Sequence, residues 1–181
     1  NILLFLLITI LLSTPTNTLH AQWVQTSGPH AHATLSLSVS GNYLFIGTDD
    51  IGIYRSSDDG NTWVPINNGF ITRYIGTLAV YDNPSGTTDI FAGSMDSVFR
   101  STNNGNEWFA ANAGLPGSFV KAFAVRDTSI FVSQNSPYSF PKIYRTTNNG
   151  ISWFSANAGL PDERVDELLW HKNYLFAGVA N

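Results

Sequence analysis

Few residues of this chain are suited to chemistry, and their spacing narrows what they could do. There are 13 Asp and Glu, 9 Lys and Arg and 4 His in 181 residues, and no Cys. The missing cysteine removes disulfides, thiolate metal sites and a lipid anchor on cysteine. His30 and His32 are two apart, a spacing that on a strand points both rings to one face and could chelate a metal. Two histidines do not make a site, so no metal and no cofactor is expected. Asp50 and Asp162 could act as the acid and base of a carboxylate-pair hydrolase, but nothing around them singles them out. Arg55, Arg100 and Arg145 could grip a carboxylate, yet they stand 45 residues apart at one repeated position, which marks a scaffold element. The net charge of −4 is spread along the chain. No basic patch could release counterions from several phosphates, which excludes nucleic acid as a partner.

The repeat that carries those arginines is the main organising signal. SSDDGNTW from Ser56, STNNGNEW from Ser101 and TTNNGISW from Thr146 share glycines (Gly60, Gly105, Gly150) and tryptophans (Trp63, Trp108, Trp153) at a period of 45. Downstream, Asn112-Ala113-Gly114-Leu115-Pro116 recurs as Asn157-Ala158-Gly159-Leu160-Pro161, with a looser copy at Asn68-Gly69-Phe70. Each period holds four short apolar runs between turn residues, and the 13% aromatic content favours strands. The fold class expected is all-β: a β-propeller of four-stranded antiparallel blades, about three and a half of them in this chain. Blades are expected at about 34–66, 77–111 and 122–156, with the start of a fourth at 167–181. A propeller must cover its last edge, so the chain is expected to be part of a longer, multi-module protein.

Within each eight-residue segment, Ser56, Ser101 or Thr146 offers a hydroxyl, and Asp58, Asn103 or Asn148 offers a side-chain oxygen. Both can accept backbone N–H bonds in a tight turn. The glycine suits positive φ, and the tryptophan buries a large apolar area between sheets. The motif resembles the Asp box, or bacterial neuraminidase repeat, S-x-D-x-G-x-T-W. The first copy matches it fully through Ser56, Asp58, Gly60, Thr62 and Trp63, and the later copies carry Asn in place of Asp. The resemblance implies a structural motif on the blade periphery. It leaves function open, because the box is shared by sialidases, xyloglucan-degrading enzymes, sortilin-type receptors and photosystem II assembly factors. A sialidase would also need an R-I-P element, and the nearest match is Arg73-Tyr74-Ile75.

Positions where the repeats differ are free to specialise. In the loops leading into each first strand these are His32, Arg73, Ser118 and Glu163, followed by Ala33, Tyr74, Phe119 and Arg164. The loops between second and third strands add Asp49, Asp50, Met95, Asp96, Tyr138 and Phe140. The candidate ligand-binding residues are therefore His32, Arg73, Tyr74, Phe119, Glu163 and Arg164, at one mouth of the channel. No catalytic residue is assigned. The expected function is a noncatalytic module that binds a protein or a glycan, with a sialidase-like or xyloglucanase-like glycoside hydrolase as the alternative. The apolar run Ile2 to Leu12, followed by a polar stretch and Ala21, reads as a signal peptide over 1–21. Export from a bacterial cell to the medium or the cell surface follows, with no membrane insertion after cleavage.

Overall fold

The computed structural model describes residues 25–31, 33–82, 88–136 and 139–180; the expected signal peptide, His32 and Tyr138 lie outside them, as does the side chain of Phe140. Three four-stranded antiparallel sheets follow one another in chain order, and then a two-stranded one. The first comprises β1 (Thr34–Ser40), β2 (Tyr43–Thr48), β3 (Ile53–Ser56) and β4 (Val64–Pro65). The second comprises β5 (Thr77–Asp82), β6 (Thr88–Gly93), β7 (Val98–Ser101) and β8 (Phe109–Ala110). The third comprises β9 (Phe119–Arg126), β10 (Ser129–Ser136), β11 (Ser139–Thr146) and β12 (Phe154–Ser155), and β13 (Arg164–His171) pairs with β14 (Tyr174–Ala180). Within each full sheet the strands lie in chain order. The first strands β1, β5, β9 and β13 pack side by side, so the two-residue fourth strands form the outer edge.

The strands β9 and β13 begin three residues earlier than their apolar runs suggest, at Phe119 and Arg164. In both, the pairing register shifts after the second residue: Val120 faces Gln134 while Ala122 faces Ser133, and Val165 faces Val179 while Glu167 faces Gly178. Lys121 and Asp166 are the extra residues of these bulges, which let the ladder continue past the break in alternation. The first sheet has the same device at Leu35.

The core lies between sheets. Phe45, Ile53, Ile66, Ile75, Ile90, Phe99 and Trp108 form one cluster across the first two sheets. Phe91, Val98, Val120, Ile130, Val132 and Trp153 form the next. The first two junctions are each fixed at the outer end by the tryptophan of the following sheet. Trp108 donates its indole N–H to the Ile66 carbonyl at 2.9 Å and its backbone N–H to Asn68 at 3.0 Å. Trp153 repeats both bonds with Ala111 and Ala113, each at 2.8 Å. The chain then passes so close that a Cβ on Gly69 would stand 2.1 Å from the Trp108 carbonyl oxygen, and one on Gly114 2.2 Å from that of Trp153. Both glycines also have positive φ, so no other residue fits.

A second recurring bond reaches each third strand. The Asn67, Asn112 and Asn157 side chains accept the backbone N–H of Ile53, Val98 and Ile143 at 2.8, 2.7 and 2.7 Å. Removing one leaves a buried strand N–H without its acceptor.

Two substitutions test this construction by thermal and denaturant melts. Trp108→Ala is expected to cost about 3–5 kcal/mol, the range for a large aromatic removed from a packed interior. Asn112→Ala is expected to cost about 1–3 kcal/mol, the penalty for an unsatisfied buried donor. Wild-type stability in the Trp108 variant would refute the junction.

Candidate functional site

Adjacent strands run in opposite directions, so each sheet has two kinds of end. One end carries the box turn between the third and fourth strands. The other carries the second-to-third loop and the entry into the next sheet's first strand. The two ends are held together by different chemistry.

At the box end, side chains hold the turn. Ser56 Oγ accepts from the Gly60 N–H at 2.9 Å and donates to Asp58 Oδ1 at 2.8 Å. Asp58 in turn accepts from the Thr62 N–H at 2.8 Å and the Thr62 hydroxyl at 2.7 Å. Ser101 and Asn103 reproduce the first bonds with Gly105 and Glu107, and Thr146 and Asn148 do so with Gly150 and Ser152. The turn needs two consecutive positive-φ residues: Asp59, Asn104 and Asn149 at φ 56–57°, then Gly60, Gly105 and Gly150 at 79–86°. The first of these pairs was not anticipated from sequence, although Asp and Asn are the residues that tolerate that region. The hydrogen bonds from Thr62, then that from Ser56, hold the Asp58 carboxyl below the usual Asp value.

The three arginines beside the boxes are each engaged with the second strand of their own sheet. Arg100 pairs with the buried Asp89 at 2.7 Å. Arg145 donates to Ser129 at 2.8 Å. Arg55 lies over the Tyr43 ring, 4.8 Å from its centroid, and reaches Asn104 and Asn106 of the next turn. They do not converge on a common anion.

At the opposite end, backbone bonds make the links between the first two pairs of sheets. The Ile75 N–H donates to Thr48 at 2.8 Å, the Val120 N–H to Ser94 at 2.9 Å, and the Gly52 N–H to Arg73 at 2.9 Å. Ile75, Val120 and Val165 are fully or almost fully buried. The residue before each is the variable position singled out above, and the structure brings two of these together. The rings of Tyr74 and Phe119, from neighbouring sheets, lie 5.5 Å apart and tilted by 58°. Burial, then the charge of Asp49, pushes the Tyr74 hydroxyl above its ordinary pKa. Arg73 is exposed beside the pair, and Met95, 55% exposed, sits on the adjoining loop.

Arg164 does not join them. Its guanidinium pairs with Asp166 at 2.8 Å, and Asn135 contacts the same carboxylate at 3.3 Å. Glu163 is half-buried beside it. Phe119 and Arg164 belong to strands rather than to loops, because the bulges extend β9 and β13. Among the described residues no group of three or more His, Asp or Glu gathers to hold a metal ion, and no helix is long and apolar enough to cross a membrane.

Four-stranded sheets with their first strands packed together and their short fourth strands outermost define one architecture. The fold is a β-propeller. No family model and no curated protein matches the chain. Solved structures do. The extracellular domain of a hybrid two-component system from B. thetaiotaomicron superposes with a TM-score of 0.66 at 12% identity, over 88% of this chain and 21% of that one. YCF48 bound to a D1 peptide gives 0.56 at 12% identity, over 81% and 47%. The GH74 enzyme of Niastella koreensis gives 0.53 at 13%, over 73% and 25%. The propeller chain thus spans less than half the length of each.

The first box turn is the only one of the three with a titrating group at its third position. The depressed Asp58 carboxyl stabilises the folded turn above the unfolded-state value of about 3.9, and that contribution is lost as pH falls through the lower folded-state value. Melts of wild type and Asp58→Asn from pH 6 to pH 2 are expected to show a shallower acid loss in the variant, whose turn then resembles those at Asn103 and Asn148. Parallel acid profiles would mean that Asp58 makes no charge-dependent contribution.

Proposed function

We propose that this chain is part of an exported, noncatalytic propeller of the Asp-box type, and that it binds a protein or glycan through the end of the sheets that carries Arg73, Tyr74 and Phe119. The observation that carries this reading is the Tyr74–Phe119 ring contact between two sheets, at positions where the inter-sheet hydrogen bonds are made by backbone groups. Large rings beside an exposed arginine are the residue types that most often anchor an interface, and aromatic rings also suit the faces of sugars. The likeness to an extracellular domain and to a peptide-bound propeller accords with an exported binding module. It carries fold alone at this identity, and the ligand is inferred from the side chains. Glu163 and Arg164 stand at the corresponding end of the next sheet, where the Arg164 ion pair with Asp166 lowers its contribution relative to Arg73; His32, outside the described residues, is proposed with them from its sequence position alone.

A glycoside hydrolase is the second reading, prompted by the GH74 likeness. It has less support. Asp50 and Asp162 are exposed and lie in loops at different sheets, and the buried carboxylate Asp89 is bound by Arg100.

Glycan and peptide arrays followed by calorimetry test the proposal. Tyr74→Ala and Phe119→Ala are each expected to weaken binding at least tenfold and Arg73→Ala several-fold. Arg73→Ala should leave the melting temperature nearly unchanged, as for exposed loop residues. Asn103→Ala should lower stability with affinity retained. Xyloglucan or aryl-sialoside turnover that is lost on changing Asp50 would replace the binding reading with the hydrolytic one.

A further inference from the structure

Three glycines of the repeat directly follow an asparagine: Asn68–Gly69, Asn104–Gly105 and Asn149–Gly150. Asparagine is a thermolabile residue, and it loses its side-chain amide most readily before glycine, whose backbone nitrogen no side chain hinders as a nucleophile. That nitrogen must give up its proton and approach the side-chain carbon of the asparagine. Whatever holds the glycine N–H therefore controls the reaction.

The two box pairs are held. The Gly105 N–H donates to Ser101 Oγ at 2.9 Å and the Gly150 N–H to Thr146 Oγ1 at 3.1 Å, and all four of these residues are buried. The asparagines are fixed as well, Asn104 at φ 57° and Asn149 at φ 56°, and the Asn104 carbonyl accepts from Arg55 at 2.6 Å. The third pair is different. Asn68 and Gly69 are both exposed, at the tip of a turn closed by the Phe70 N–H on the Asn67 carbonyl at 3.1 Å. Among the described residues, neither the Gly69 N–H nor the Asn68 side chain has a hydrogen-bond partner. The later repeats place Ala113 and Ala158 where this one has Asn68, so the turn does not require an asparagine.

We infer that Asn68 is a site of spontaneous deamidation, and that the box hydroxyls of Ser101 and Thr146, besides closing their turns, shield Asn104 and Asn149 from the same reaction. The Gly69 nitrogen bonds to the side-chain carbon of Asn68 while the bond from that carbon to its amide nitrogen breaks, and ammonia leaves with the proton of the Gly69 N–H. Water then adds to one carbonyl carbon of the five-membered succinimide and breaks its bond to the Gly69 nitrogen. One opening leaves aspartate, the other isoaspartate, and nothing is oxidised or reduced. The position gives the change a consequence, because the Asn68 carbonyl accepts the Trp108 backbone N–H at 3.0 Å. In isoaspartate that carbonyl leaves the main chain as a free carboxylate, and the chain lengthens by one carbon beside the Trp108 carbonyl, where even a Cβ on Gly69 has no room. The first junction thus weakens as the protein ages.

The test keeps the full-length protein folded at mildly alkaline pH and follows each Asn–Gly pair by peptide mass spectrometry. Asn68 is expected to convert about tenfold faster than Asn104 or Asn149, the factor that one hydrogen bond of ordinary strength supplies, and all three should convert alike in denaturant. Equal rates in the folded protein, or faster box pairs, overturn the inference. Ser101→Ala is expected to speed conversion of Asn104 while Asn149 in the same molecule keeps its rate, and an unchanged Asn104 refutes the shielding. Should that variant not fold, amide exchange in the wild type decides: Gly69 should exchange faster than Gly105 and Gly150, and equal protection refutes the shielding. Asn68→Ala is expected to hold its melting temperature on ageing while that of the wild type falls. A wild type that keeps its melting temperature as Asn68 converts would show that the junction does not depend on this peptide.

Discussion

The packing of the box tryptophans Trp108 and Trp153, each against the sheet before it, is the interaction on which the rest of this structure depends. Two N–H groups of one residue, on the indole and the backbone, find carbonyls two residues apart on the preceding chain, Ile66 and Asn68 for Trp108. Those carbonyls are held there because Ile66 bonds back to Ile53 and Asn67 clamps the same strand end. The glycine that follows can only be glycine, because the tryptophan carbonyl occupies the space of its Cβ. Burying the ring thus fixes the spacing and angle of the next sheet, and with them the position of the next box.

The arginines show how the same frame absorbs chemical variation. Each stands in the third strand opposite the start of the second, and that partner changes from an aromatic ring to a carboxylate to a hydroxyl. The guanidinium accommodates all three because it offers a flat face as well as a fork of donors. The buried Asp89 is accepted only where Arg100 neutralises it, since an unpaired carboxylate in that position would carry a large desolvation cost. The repeated arginines, read from sequence as a scaffold element, each find a partner within their own sheet.

Much of this was legible from residues alone, because the repeat exposes what each position must do. The four strands, the turn hydroxyls and the positive-φ glycines follow from local chemistry at a fixed period. The inter-sheet features do not. Asn67, Asn112 and Asn157 recur visibly, but their function appears only when the unpaired N–H of the neighbouring strand is located. The bulges at Lys121 and Asp166 set where β9 and β13 begin, and no apolar pattern marks them. The bulge places Asp166 within reach of Arg164, which separates that residue from the Tyr74–Phe119 pair it was expected to join.

The two ends of each sheet have acquired different freedoms for a physical reason. At the box end the hydrogen bonds are made by side chains, Ser or Thr to Gly and Asp or Asn to the residue four on, so changing the sequence changes the fold. At the opposite end the first two junctions are made by backbone groups, Thr48 with Ile75 and Ser94 with Val120. Any side chain leaves those bonds intact. The positions beside them hold Arg73 and Tyr74 in one sheet and Ser118 and Phe119 in the next without cost to the scaffold. The third junction departs from this pattern, with Asn135 donating a side-chain amide to the Val165 carbonyl. There the neighbouring Arg164 and Asp166 are held in the same polar network, and the surface available to a ligand contracts towards the first two junctions.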